Sequence, residues 1–467
     1  MYILGVVHWA LFFDFGRIKF NVHDWGLVTH YLLGLQQAFE TWQLPLHVFP
    51  ATDFTVTERF LANPEIPLSP QILLVSLMDL GPFILANGLI LYSVGFVGLY
   101  LLAKRFKLSA FSFSLLFLLL VFNGHLTSHI GVGHGMWVAY FLTPFLVLLV
   151  ADAADRGASW RWPVLVSLLL FAILLQGAFH FVFWSMLLLT LLAVTAPFLR
   201  RPAIVAVILT AALSAVRFVP AIFEFTDSGW GFIGGFRSAG DMITGLASLQ
   251  TPIMAAVSHF GPPEWWEVDY FVGYVGLGFL VVFGIIYWLR AENGPEARSL
   301  RVLAPALIIL TFLSLDIVFR AISNLPIPFI GAERVSSRFF VLPFLFLILF
   351  AVIGLQRWLD SQRLGNGARL LLVAGLIAIA LDLWQHSRVW RPSAAQLGFE
   401  VYSPNLLVYI ENRPDPAYYN ALIVGAAITL IAMAYSAWRL LRVPKGTPSS
   451  IEVVDQESVT GSQPVDQ

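Results

Sequence analysis

The chain has 467 residues, of which 58% are hydrophobic and only 12% charged, with a formal net charge of −1 and a mean hydropathy of +0.79. Soluble domains carry about 25% charged and about 45–50% apolar residues, so this composition excludes an ordinary soluble enzyme and requires lipid to cover the excess apolar surface. The near-zero charge excludes nucleic acid as a partner, since no basic face can neutralise a run of phosphates; the absence of cysteine excludes disulfides, thiolate zinc sites and cysteine nucleophiles.

A helix needs about 20 mainly apolar residues to cross about 30 Å of hydrocarbon. Twelve stretches are read as spans on that basis, over 1–13, 81–103, 108–122, 135–151, 162–176, 178–198, 202–219, 270–289, 301–318, 339–355, 370–384 and 418–438. No soluble block separates them, so 1–441 reads as a single multi-spanning domain, an all-α polytopic membrane bundle. Residues 442–467 read as a polar, acidic, disordered cytoplasmic tail. The first stretch lacks a basic n-region and an A-x-A-like site, so it is expected to stay as a span. It is short, and either the helix continues through 14–18 or the true start lies elsewhere. Sixteen of the 27 basic residues fall on the side of the short loops, and 19 of the 28 acidic residues on the side of the long ones. The positive-inside rule then makes both termini cytoplasmic.

Polar, aromatic and ionisable residues collect in the long outer loops, which is where chemistry is expected. In the first loop, Leu27, Tyr31, Leu35, Ala38, Phe39 and Trp42 recur at helical spacing, predicting an amphipathic juxtamembrane helix over 25–42 that lies in the interface plane. Asp24 opens it, either as an N-cap or as a general base, with His23 beside it as a substrate-binding candidate. The segment NGHLTSHIGVGHG carries His125, His129 and His134. Its glycines predict a loop in which the imidazoles hydrogen-bond substrate hydroxyls or phosphate. No cofactor is assigned, although three imidazoles leave a divalent metal open. Arg217 stands near the outer end of a span, where a charge is paired, functional or snorkelling. In GPPEWWEVDYFVGYVGLGF, Glu264, Glu267 and Asp269 lie among tryptophans, which serve as interface anchors or as the walls of a sugar site. Arg334 and Arg338, four apart in GAERVSSRFF, offer two guanidinium forks to a phosphate, or Arg334 pairs with Glu333. The absence of P-loop, GxSxG, HExxH and GxGxxG signatures argues against ATP-driven transport and standard hydrolases.

In order along the chain, HDWGLVTHYLLGLQQAFETWQLPLHVF, PLSPQILLVSL, NGHLTSHIGVGHG, VPAIFEF, DYFVGYVGL and ERVSSRFF resemble the GT-C class of integral-membrane glycosyltransferases, and within it the YfhO-like bacterial membrane proteins. The resemblance implies a GT-C bundle of about 12 helices in the bacterial plasma (inner) membrane. It implies transfer of a sugar from a polyprenyl-phosphate donor to a lipid, glycan or protein acceptor on the extracytoplasmic face, with membrane lipid around it. Asp24 would deprotonate the acceptor for an inverting displacement. Arg217, Arg334, Arg338 and the His125, His129 and His134 group would stabilise the departing phosphate. The chain departs from the class in two ways. Asp24 is flanked by His23 and Trp25 rather than by a second carboxylate, and no large soluble C-terminal outer domain follows the last span. A transporter or flippase of lipid-linked glycans, or a non-catalytic assembly scaffold, are the competing classes.

Overall fold

The computed structural model describes residues 1–21, 23–49, 58–225, 232–251, 263–290, 295–323, 333–363, 365–392 and 408–442. The chain begins with α1 (Tyr2–Phe12), which does not continue through 14–18. Asp14, Phe15 and Gly16 have φ of 46°, 53° and 88°, a left-handed run that reverses the chain, and Gly16 lies against the backbone of Gly81 with no room for a Cβ between them. α2 (Trp25–Thr41) forms where the first-loop periodicity predicts it. Its buried residues include Tyr31 and Leu35 but also Trp25, His30, Leu32 and Gly34, so more than one face is covered, and Gly34 lets Phe60 and Val48 approach. Trp42, placed on the apolar face by the sequence pattern, terminates the helix at φ 54° and is 93% exposed.

A two-stranded antiparallel pair, β1 (Val48–Phe49) with β2 (Tyr409–Ile410), ties the first loop to the segment before the last helix. Between them run α3 (Leu80–Arg105), α4 (Ala110–Val121), α5 (Gly124–Val132), α6 (Thr143–Arg156), α7 (Trp162–Leu175), α8 (Phe179–Thr195), α9 (Arg200–Leu213), α10 (Ala215–Phe225) and α11 (Ala239–Ala247). They are followed by α12 (Gly273–Arg290), which contains a π-helical stretch over Leu280–Ile286, α13 (Pro295–Leu313), α14 (Asp316–Ser323), α15 (Val341–Ser361) and α16 (Asn366–Val389). α17 (Pro416–Leu441) is the last helix described; residues 443–467 of the expected tail lie outside the described residues.

Each of the twelve predicted stretches contains helix, yet among the described residues seven helices are long and apolar enough to cross a membrane, or eight if the bent α9–α10 pair is one span. Four others, Tyr2–Phe12, Trp162–Leu175, Phe179–Thr195 and Ser299–Leu313, are apolar but shorter. At the breaks, groups from elsewhere in the fold serve the freed backbone groups, as a dry environment demands. At the 70° bend between α9 and α10, Thr429 of α17 donates to the Leu213 carbonyl (3.0 Å) and accepts from Val216 N–H (3.0 Å). The predicted span 301–318 is likewise divided, because the Phe236 backbone bonds to Ser314 and Asp316 across the break.

Burial sorts the helices. The segment Ser336–Ser361, with the highest hydropathy of the seven, is 94% buried and forms the centre, whereas α16 is only 11% buried. Leu370, Leu371, Ile423, Leu430 and Ile431 stand exposed on α16 and α17, an apolar surface that belongs against lipid rather than water. The protein is membrane-embedded and multi-helical.

The main correction to the sequence reading concerns NGHLTSHIGVGHG, which is helix α5 and fully buried rather than a loop. Asn123 starts it, its Oδ1 accepting from Leu126 N–H (3.2 Å) while its amide reaches Leu119 and Leu120 carbonyls at the end of α4 and Tyr140 Oη. The glycines serve close approach. Gly124 is met by Asp269 and Phe271, Gly131 by the Trp390 backbone, and Gly133, at φ 102°, by the backbone of Asp24 and Trp25.

Candidate functional site

The end of α5 builds the site. Gly133 closes the helix in a left-handed conformation, and the His134 N–H bonds back to the His129 carbonyl (3.0 Å), a Schellman closure. That closure folds His134 onto His129, with their Nδ1 atoms 2.6 Å apart. The start of α2 is clasped to the same place. Asp24 N–H donates to the Val132 carbonyl (3.0 Å) and Trp25 Nε1 to that of Gly131 (3.3 Å).

Asp24 is the N-cap residue of α2 by position, but its side chain makes no cap bond. Its carboxylate faces two imidazoles instead, His134 Nε2 at 2.8 Å from Oδ2 and His23 Nδ1 at 3.3 Å from Oδ1. The Asp24 side chain is 36% exposed, against 18% for His23 and 8% for His134, so it forms the open end of the cluster. Burial alone pushes its carboxyl up, but His23, His134 and the more distant Arg338 charge outweigh that and hold it at about 2. His23 has φ 45°, a conformation that non-glycine residues adopt at a cost of about 1–3 kcal/mol and that gathers at functional sites. Its ring meets Trp266 edge-on at 4.7 Å.

Behind this open end lies a buried ion-pair network. Glu267 receives Arg338 in a two-pronged contact, Nε to Oε2 (2.7 Å) and Nη2 to Oε1 (2.5 Å), while Arg338 lies over the Trp137 ring. Arg338 Nη1 donates to His180 Nε2 (3.2 Å), and His180 Nδ1 donates to Glu333 Oε2 (3.1 Å), which also accepts from Trp184 (2.7 Å). Burial raises Glu333, but His180, Arg338 and Trp184 together bring it below the usual carboxylate range. His129 connects the two halves, stacked on Trp137 with its Nε2 3.9 Å from Glu267 Oε2 and without a hydrogen-bond partner.

The structure thus brings His23, Asp24, His129, His134, Glu267 and Arg338 into one constellation. Other candidates do different work. Arg338 is engaged by Glu267, so the pair of open forks expected of Arg334 and Arg338 does not form. Arg334 is half-buried; burial and the Arg338 charge lower it, while Glu267, Glu264 and Glu65 pull the other way. His125 is fully buried, stacked on Tyr270 and accepting from Trp137 Nε1 (3.1 Å), which places it behind the site. Among the described residues Arg217 meets no anion: it donates to the carbonyls of Leu61 (3.2 Å), Asn63 (2.5 Å) and Ile66 (3.0 Å), pinning the first outer loop. Asp269 is buried, accepting from Trp265 Nε1, Phe271 N–H and His386 Nε2. With Thr127 on His386 Nδ1 (2.8 Å) this resembles a nucleophile triad, but all three residues are fully buried and serve to join α5 and α16 to the 265–271 segment. Glu264 is exposed.

Sequence reasoning missed His180 and His386, and treated Glu333 only as a neighbour of Arg334. A signal was present, since a histidine inside an apolar helix such as FHFVFWSMLLL requires a partner, but the partner stands 153 residues away. Comparison of the chain with protein-family models, with curated proteins and with solved structures finds no match in any of the three.

Proposed function

We propose that the protein is an inverting glycosyltransferase of the GT-C type, transferring a sugar from a polyprenyl-phosphate donor to a lipid, glycan or protein acceptor at the extracytoplasmic face of the bacterial plasma membrane. In this reading all twelve apolar stretches cross the bilayer and both termini are cytoplasmic. The observation that carries it is Asp24: a half-exposed carboxylate, free of capping duty, held between two imidazoles at the open end of a buried charge network.

The acceptor hydroxyl oxygen attacks the anomeric carbon from one face as the bond to the phosphate oxygen breaks on the other. The departing polyprenyl phosphate keeps the electron pair, and the hydroxyl proton passes to Asp24. A carboxyl held at about 2 is ionised at every working pH but is a weak base, so proton transfer follows C–O bond formation rather than leading it. His134 and His23 fix the carboxylate in place, and the Glu267 to Arg338 pair holds the wall behind it. Arg334 is the counter-charge proposed for the departing phosphate.

The test is sugar transfer by purified protein in lipid, with a panel of polyprenyl-phosphate sugars and a membrane-lipid extract as acceptor. Acid–base catalysis contributes about 10²–10⁴-fold, so Asp24→Asn is expected to lose at least about a hundredfold in rate with donor binding retained. Equal rates in the two proteins overturn the role of Asp24. No transfer by wild type, with donor bound, overturns the transferase reading and favours transport of the same lipid-linked glycan.

A further inference from the structure

We infer that His23, Asp24 and His134 form a binding site for one first-row divalent metal ion of the zinc class, with an open coordination position on the solvent side. This inference stands apart from the transferase reading, since it is tested on the protein alone.

The first ground is geometry. One ligand atom from each residue lies within 4.8 Å of the others. The Asp24 oxygens lie 3.3 Å from His23 Nδ1 and 2.8 Å from His134 Nε2. Donors each about 2.0–2.2 Å from one ion stand about 2.8–3.5 Å apart in octahedral or tetrahedral geometry, so little movement is needed to admit it. The Val132 carbonyl, 3.1 Å from the same His23 nitrogen, supplies a further oxygen at the rim.

The second ground is the hydrogen-bond chain behind His134. With a neutral His134 and no metal, His134 Nε2–H donates to Asp24, which leaves His134 Nδ1 to accept from the His129 Nδ1–H. His129 Nε2 is then a bare lone pair, fully buried, without a partner and facing the Glu267 carboxylate at 3.9 Å, and such an arrangement is unfavourable. A metal on His134 Nε2, like a second proton on that ring, reverses the chain. His134 Nδ1–H donates to His129 Nδ1, and His129 Nε2–H now points at Glu267. This is the second layer that orients metal-bound imidazoles, an N–H directed towards a carboxylate, here relayed through one more ring.

The third ground is charge. Asp24, Glu267 and Glu333 stand with two guanidinium groups, Arg338 engaged by Glu267 and Arg334 at the edge, so the carboxylates outnumber them by one. A divalent cation offsets that excess at the one carboxylate whose surroundings are open. The neighbouring set His129, His134 and Glu267 is less suited, because both Glu267 oxygens already accept from Arg338. Two imidazoles and one carboxylate favour zinc, cobalt or manganese over magnesium or calcium, which prefer all-oxygen shells.

The test uses the full chain purified in detergent, stripped with chelator and titrated with Co²⁺, followed by visible absorption and calorimetry. Wild type is expected to bind one ion per chain. His134→Gln and Asp24→Asn should each weaken binding by more than about 100-fold, exceeding the 10–100-fold typical of outer-layer changes. His23→Gln, at a partly exposed position where folding is not at stake, should weaken it at least about tenfold. Glu40→Gln, an exposed carboxylate on α2, should leave it unchanged. No stoichiometric ion in wild type, or equal affinity in wild type, His23→Gln and Asp24→Asn, overturns the inference.

Discussion

Replacing Gly133 by alanine should displace Asp24, and the structure supplies a control that separates the two reasons. Gly133 has φ 102°, so alanine there incurs a backbone strain of about 1–3 kcal/mol. A Cβ would also stand 2.6 Å from the Asp24 carbonyl carbon, and nearer still to Trp25 N, where ordinary contact starts at 3.4 Å. The start of α2 must therefore retreat by about 1.3 Å, the gap between the 2.1 Å separation from Trp25 N and ordinary contact at 3.4 Å, and both neighbours are backbone held by the Asp24 N–H bond to Val132. Overpacking of this kind adds about 1–3 kcal/mol, for a total near 2–6 kcal/mol. Gly157 also has positive φ, 85°, with ψ 157°, a region essentially reserved for glycine, and a Cβ there meets nothing within 4 Å, so Gly157→Ala carries backbone strain at least as large but no displacement of a neighbour. The assay is thermal unfolding of both variants in the same detergent, with sugar transfer as a second readout. Both variants should unfold at lower temperature than wild type, but only in Gly133→Ala should a misplacement of about 1 Å cost transfer about a hundredfold. Transfer by Gly133→Ala as fast as by Gly157→Ala would refute the claim that α5 positions Asp24 by backbone contact.

Four further outcomes are expected. Arg217→Met should destabilise the fold by about 1.5–3 kcal/mol, the worth of hydrogen bonds to a charged group, and open the 58–66 segment to protease while leaving donor affinity unchanged. Glu267→Gln, which strands the Arg338 guanidinium, should cost about 3–5 kcal/mol, and the double change Glu267→Leu with Arg338→Met should cost less than the two single changes added together, as read by a thermal double-mutant cycle. Thr127→Val should lower stability by about 1 kcal/mol without changing the rate of transfer, because its contact with His386 is buried structure; a lost rate would mark it as a participant. Asp415 is raised by burial, but its bonds from Arg59, Tyr418 N–H and His47 outweigh that and lower it. Its stabilising contribution is therefore complete above its unfolded value of 3.8 and is lost as pH falls through the lower folded value. Hydrogen exchange at the start of α17 should accelerate only in that acidic window, and Asp415→Asn should remove the pH dependence.

The placement of the histidines shows what single-chain reading reaches. Capping at Asn123 and helix closure at Gly133 are both local chemistry, written as an asparagine at the start of the segment and G-H at its end. The loop reading weighed Gly131, Gly133 and Gly135 as breakers, whereas Gly131 admits the backbone of Trp390 and Gly133 that of Asp24 and Trp25. A glycine that admits another chain segment and one that breaks a helix are identical in sequence. Arg217 shows the same limit: its charge and its depth were legible, but its partners are carbonyls about 150 residues earlier.

Composition and apolar runs determined by themselves that this protein lives in a membrane, that it is helical, and that an amphipathic helix follows Asp24, because hydrophobic burial and backbone satisfaction in lipid depend on nearby residues alone. Only the tertiary structure decided that Asp24 faces two imidazoles instead of capping its helix, that Arg338 is already spent on Glu267, and that His180 and Glu333 join them. Those contacts depend on how α2, α5, α8 and the start of α15 pack side by side, and the pairing of distant charges in a dry interior is set by that packing, which no local pattern encodes.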